Sequence, residues 1–166
     1  MTRRAGTAVV VATATERRIL DMLAKILPVA AASYEQCIID LGRLPRRSYR
    51  GIAHELREVL RESLDYLAPD PDVMAEPGFK LEQGVSRPTQ RQKALHVLRK
   101  RNLPREAIAA PELAVSMVEE LGAAITRSTY TRGSISAHIT TSSQEVRQLK
   151  MYVDAVLAEL LEIYAE

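Results

Sequence analysis

The stretch "SSQEVRQLKMYVDAVLAELLEIY", residues 142–164, decides the fold class. Leu149, Val153, Val156, Leu157, Leu160 and Leu161 recur at helical intervals and make one apolar face. Ser142 and Glu145 have the spacing of a capping box, in which each side chain satisfies an N–H group of the first turn. The segment therefore reads as a long amphipathic helix from about Ser143 to Tyr164.

Four more helical segments lie upstream. The first spans about Ala14 to Leu41, opens with a Thr13-x-x-Glu16 capping box, is kinked or broken near Pro28, and ends at Gly42 and Pro45. The second runs from about Tyr49 to Leu67, with Ser48 available as N-cap, an Ile52, Leu56, Val59, Leu60 and Leu67 stripe, and Pro69 as its stop. The third, about Thr89 to Arg101, is basic. The fourth, about Pro111 to Tyr130, places Pro111 in its first turn. Between the second and third, residues 69–88 are rich in Pro and Gly and read as a long loop, a length that usually marks function or mobility. "AVVVA" at Ala8–Ala12 fits a short strand, a helical turn or a frayed end. Short connections favour antiparallel neighbours, so the expectation is an all-α, up-and-down helical bundle of about five helices. It forms a single domain over residues 1–166, with the first, second, fourth and fifth helices as its core.

Composition agrees with packed helices. Hydrophobic residues make 46% and charged residues 27%, the balance of a folded globular chain rather than a disordered one. With no Trp and one Phe, the core must be aliphatic. The single Cys37 excludes an intramolecular disulfide and a multi-cysteine zinc site, and its helical context suits a buried structural thiol. No apolar run approaches a membrane span. After Met1–Val11 the chain meets Glu16, Arg17 and Arg18, too polar for a secretory core, so a cytoplasmic location with no membrane association is expected.

Charge is segregated along the chain. Seven Lys or Arg and no acid fall between Arg87 and Arg105, whereas seven acids and two arginines fall between Glu55 and Glu76. Such a pattern can present a basic face to RNA through Arg91, Lys93, Lys100 and Arg101, or can simply be two solvated helix surfaces.

There is no phosphate-binding Gly-rich loop, no Cys/His metal cluster and no HExxH, so neither a metal nor another cofactor is expected. Three Arg…His pairs remain: Arg47 with His54, Arg91 with His96, and Arg132 with His138. Arg91 and His96 share one helix, where a five-residue step separates side chains by roughly 140°, so they cannot converge on one phosphate. Arg47 and His54 straddle a helix start, with Arg50 one turn before His54. Arg132 and His138 flank Gly133 and Ser134, which let the backbone bend ahead of a helix whose free N–H groups favour an anion.

At these residues "YTRGSISAHITTSSQEVRQLKMYVDAVLAELLEI" resembles the end of a HEPN domain, whose signature is an arginine, four to six residues and a histidine at the start of the last bundle helix. With "SYRGIAHELREVLRESLDYLAPD" and "GFKLE…PTQRQKA", the chain more specifically resembles small bacterial proteins described as predicted pPIWI-associating nucleases, found in conflict and defence settings. That resemblance implies a metal-independent endoribonuclease, a toxin or antiphage defence effector, acting as a homodimer with a composite cleft. His138 would take the proton of the ribose 2′-OH and Arg132 would clamp the phosphate, with Ser134 and Tyr130 in support and a 2′,3′-cyclic phosphate as product. Antitoxin or defence-system partner proteins would accompany it. The chain departs from the pattern at Gly133, where a polar residue usually follows the arginine. Many HEPN proteins are inactive binding partners, so the alternative is a non-catalytic helical module that binds a partner protein or nucleic acid.

Overall fold

Proline lacks an N–H and crowds the residue before it, so a helix cannot run smoothly through Pro28. The computed structural model describes the backbone at residues 10–43, 48–128 and 135–163, and side chains at 10–43, 48–125 and 143–163. At Leu27 (φ −143°, ψ 73°) the chain leaves α1 (Ala14–Ile26) and enters α2 (Pro28–Gly42), with Pro28 in the first helical position where no N–H is needed. The expected capping box opens α1: the Glu16 N–H donates to Thr13 Oγ1 at 3.2 Å, and the Thr13 N–H donates to Glu16 Oε2 at 2.6 Å.

The remaining described elements are α3 (Arg50–Leu67), α4 (Asp70–Met74), α5 (Gln90–Lys100), α6 (Arg105–Ser128) and α7 (Ile135–Leu160). The fold is all-helical among the described residues, as expected, but the chain divides into seven helices rather than about five. One addition comes from the break at Pro28 and the other from α4, inside the stretch expected to be loop. The rest of that stretch is folded through turns, two of them using Gly78 and Gly84 at φ +77° and +82°. A Thr89–Gln92 capping box opens α5, and Asn102 at φ 52° stops it in a left-handed conformation.

Two helix starts differ from expectation. The start of α6 is Arg105, which leaves Pro111 in the helix interior. The run Glu106–Ala110 is rich in alanine, a strong helix former that carries the helix upstream of the proline. The start of α7 is Ile135, so Ser142 and Glu145 lie inside the helix and do not begin it. No Gly or Pro occurs between Ile135 and Leu160, and the Thr140–Ser143 run lowers helix propensity by only tenths of a kcal/mol per residue.

Consecutive helices pack against each other, α1 on α2, α2 on α3, α5 on α6 and α6 on α7, giving the expected up-and-down bundle. The last helix is central, touching α1, α3, α5 and α6. Its Val146, Leu149, Val153, Leu157 and Leu160 are buried with Ile19, Leu23, Leu56, Leu60 and Val118. The basic helix α5 also joins the core, through Ala94, Val97 and Leu98, so it is less peripheral than expected. Cys37 is buried as expected, its Sγ 3.9 Å from the Ile52 carbonyl.

One polar cluster sits within this apolar packing. Lys150 on α7 donates to Glu16 Oε1 and to Asp154 Oδ2, both at 2.5 Å, and lies 5.2 Å from the centre of the Tyr34 ring. The Tyr34 hydroxyl donates to Asp154 Oδ1 at 2.6 Å. Three helices are thereby tied together. Burial alone would raise the Glu16 carboxyl, but its bonds from Lys150 and the Thr13 N–H bring it below the usual range. Burial wins at Asp154, which is raised despite the same ammonium, and burial next to Asp154 pushes Tyr34 far up.

Replacing Lys150 by Met should leave two enclosed carboxylates without a cation and cost about 3 kcal/mol of stability, measured by urea unfolding. The two acids should respond oppositely. A lowered folded value means that ionised Glu16 stabilises the protein above the ordinary glutamate range, about pH 4.3, and that this contribution drains as pH falls through the folded value. A raised value means that ionised Asp154 disfavours the fold at neutral pH. At pH 7, Asp154→Asn should therefore destabilise less than Glu16→Gln.

Candidate functional site

Residues at positions 50, 54 and 57 of a helix lie within about 60° of one another around its axis. In α3 these are Arg50, His54 and Arg57, on the face opposite the buried Ile52, Leu56, Val59 and Leu60. With Ser48, Gly51 and Ala53 they line a cleft of about 550 Å³ whose far wall is Gly122 of α6. Glycine leaves this wall open to Arg57: a Cβ there would stand 2.5 Å from Arg57 Cδ and 2.8 Å from its Nε, so the arginine would have to shift. The arginine side chain lies directly over the α6 backbone.

Among the described residues, no carboxylate makes an ion pair with Arg50, His54 or Arg57. Glu58 is held by Arg61 at 2.7 Å, a hydrogen bond that keeps its carboxyl below the usual range, with His54 and Arg57 adding smaller effects. Glu119 is the other acid whose charge Arg57 feels. Its burial raises it, and Arg57 and Arg91 only partly offset this. The cleft is therefore a place where cations converge without local neutralisation. Gly122 is near the last residue of α6, Ser128, about 9 Å of helical rise away. The cleft thus lies towards the end of the bundle at which α6 stops and α7 starts.

His138 belongs to that same region of the chain. It occupies the first turn of α7, a helical position rather than the loop position expected, because α7 starts at Ile135. Its side chain lies outside the described residues, as do Tyr130, Arg132, Ser134 and Arg47. Of the pair Arg47 and His54, the described partner is His54, exposed and one turn from Arg50.

The residues expected to form a basic RNA face are placed very differently from one another. Lys93 is buried, its ammonium 2.5 Å from both Asp65 and Asp70. Arg87 joins the same two acids at 3.3 and 3.0 Å. Arg91 bridges Glu112 at 2.6 Å and Glu82 at 3.4 Å. Arg101 closes the end of α7, with Nη1 donating to the Glu159 carbonyl at 2.5 Å and Nη2 to that of Leu160. His96 is buried with Nδ1 2.5 Å from Glu76 Oε1, and its Nε2 has no partner. Lys100 and its neighbour Arg99 are exposed. The acidic and basic stretches thus fold onto each other, with Lys93 and Arg91 of α5 paired to acids while Arg99 and Lys100 stay exposed.

Sequence reasoning overlooked Arg57, whose signal was its three-residue step from His54. It also overlooked the Lys150 cluster, signalled only by the four-residue step to Asp154. That cluster edges a second cleft, of about 420 Å³, with Arg147 donating to the Leu41 carbonyl at 3.0 Å. Its charged groups are matched with one another, which suits a structural clasp. Among the described residues, no group of three His, Cys, Asp or Glu is placed to hold a metal ion, and no helix is long and apolar enough to cross a membrane.

Residues 32–159 match the model of a family described as "Predicted pPIWI-associating nuclease". No curated protein and no solved structure matches the chain. The matched span includes α3, α6 and all but the last residue of α7, together with the Arg47–His54 and Arg132–His138 pairs.

The contrast between used and free cations is measurable. Lys93→Met should leave Asp65 and Asp70 to their exposed arginine partners alone and cost more than about 1 kcal/mol in urea unfolding. Lys100→Gln should change stability by less than about 0.5 kcal/mol.

Proposed function

The chain belongs to the predicted pPIWI-associating nucleases, and from that premise we propose that it is a metal-independent endoribonuclease of a defence system, built on a HEPN-like bundle. The observation that carries this reading is the cleft of Arg50, His54 and Arg57, free of described carboxylate ion-pair partners and towards the end of the bundle where α7 begins at Ile135, with His138 in its first turn. A nuclease needs cations that are not already neutralised, because the phosphate must supply their counter-charge.

In this reading Arg132 and His138 do the chemistry. The His138 imidazole, a group that titrates near neutral pH, takes the proton from a ribose 2′-OH. The 2′-oxygen attacks the adjacent phosphorus, the bond to the 5′-oxygen breaks, and that oxygen takes up a proton and leaves as a hydroxyl. The other product carries a 2′,3′-cyclic phosphate. Arg132 grips the non-bridging oxygens bidentately while charge builds on them, with Ser134 and Tyr130 in support. Two chains pair so that their motifs share one cleft, giving a cytoplasmic homodimer that acts on RNA as a toxin or antiphage effector. The family description names association with a pPIWI protein, and we carry that association, or an equivalent antitoxin, to this chain as its partner.

A second reading is a non-catalytic module that binds its partner through α6. Leu113 on that helix is 63% exposed and followed one turn later by Met117, an apolar strip that catalysis does not require. Gly133 after Arg132 suits this reading as well.

Purified wild-type protein should cut single-stranded RNA in EDTA, leaving cyclic-phosphate ends detectable by mass spectrometry. His138→Ala should slow cleavage by at least about a hundredfold. Arg132→Lys should also fail, since lysine keeps the charge and loses the fork. Undiminished cleavage by His138→Ala, with loss in His54→Ala, would move the catalytic pair to Arg47 and His54. If no wild-type cleavage occurs and the chain instead binds its partner through Leu113, the second reading holds.

A further inference from the structure

We infer that Arg50 and Arg57, with His54 between them, form a track that seats successive phosphates of single-stranded RNA and so positions the strand for cleavage. The inference rests on the ribonuclease reading and gives these residues a positioning role, distinct from the catalytic one of His138.

Four features of the molecule lead to it. The three side chains share one face of α3 and line one cleft of about 550 Å³, within the usual range for a ligand site. The two arginines are two helical turns apart, about 10 Å of rise, so their long side chains reach separate phosphates of a strand rather than chelating one. No described carboxylate is ion-paired with any of the three, whereas Lys93, Arg91 and Arg61 are each bound to two acids. The cations that hold α3, α4 and α5 together are neutralised, whereas those of this cleft are not. Finally, the glycine at 122 clears the space in which the Arg57 side chain lies, with its Cδ, Nε and Cζ against α6. Arginine suits the task because its fork matches phosphate oxygens and its plane stacks on bases.

The strand is read through its backbone, so binding should be strongly salt-dependent and weakly dependent on sequence. Specificity for RNA over DNA would then come from the 2′-OH at the cleavage step and not from this track.

The test uses the full chain and a short fluorescein-labelled oligouridine carrying 2′-O-methyl groups, which cannot be cut. Binding is followed by fluorescence anisotropy over a salt series. Arg50→Gln with Arg57→Gln should weaken binding about tenfold and reduce the slope of log K against log salt by about 1.4, two contacts at 0.7 each. Gly122→Ala removes no charge yet should act in the same direction, because the added methyl displaces Arg57. Arg99→Gln with Lys100→Gln, altering free cations of α5, should leave affinity and slope unchanged. Far-UV circular dichroism checks that each variant stays helical.

Wild-type affinity and slope in the Arg50/Arg57 variant overturn the inference, as does a loss confined to the Arg99/Lys100 variant. Cleavage of unmodified RNA separates the two proposals. If wild type cuts, His138→Ala does not, and the Arg50/Arg57 variant cuts with an unchanged KM, the track is wrong and the nuclease reading stands. If the Arg50/Arg57 variant loses binding while wild type cuts nothing, the track stands and the nuclease reading falls.

Discussion

The ammonium of Lys150 is the junction on which the bundle depends. It is enclosed between a carboxylate of α1, a carboxylate of its own helix and a tyrosine of α2. An isolated ammonium in such a place would be costly, and so would either acid alone. Together they are tolerable only in one register of three helices. The cluster therefore acts less as a source of stability than as a constraint on alignment: a slip of α1 by one turn would part Glu16 from Lys150, and a slip of α2 would part the Tyr34 hydroxyl from Asp154. The apolar faces of Leu149, Val153, Val156 and Leu157 supply the favourable burial that this constraint directs.

A second ionic system does comparable work on the other side. Lys93 threads between Asp65 and Asp70, drawing α5 and the short α4 onto the end of α3. Arg61 and Arg87 complete the neutralisation from the surface, where exposure and salt screening weaken them. The two stretches of opposite charge are complementary partners. Their segregation along the chain looked like a surface prepared for nucleic acid, yet it is largely consumed in folding.

That consumption gives the remaining free cations their meaning. With Glu58 held by Arg61 and no described carboxylate ion-paired to them, Arg50, His54 and Arg57 keep their capacity for an external anion. The glycine in α6 leaves Arg57 the room to lie there. The His138 position lies in the first turn of the next helix, α7. A family of predicted nucleases and a cleft of free cations are thus two independent observations pointing to phosphodiester chemistry.

What the sequence determined by itself was everything that depends on neighbours within a turn or two. Thr13 with Glu16 and Thr89 with Gln92 open helices because a cap needs only a three-residue step. Pro28 divides a helix because its ring acts on the preceding residue. The apolar faces of α1, α3 and α7 were readable because helical periodicity is a backbone property. Even local signals failed where two competed: Ser142 and Glu145 had the form of a cap, but no Gly or Pro interrupts the stretch before them, and α7 extends back to Ile135. Only the tertiary structure decided which charges are free. Lys93 meets Asp65 across a separation of 28 residues, and no local pattern records which faces will touch. Arg57 became part of a site for the same reason, since its place depends on a missing side chain at position 122, far along the chain. Helix formation is governed by short-range sterics and hydrogen bonding, whereas the availability of a charge is set by which segments the packed core brings together.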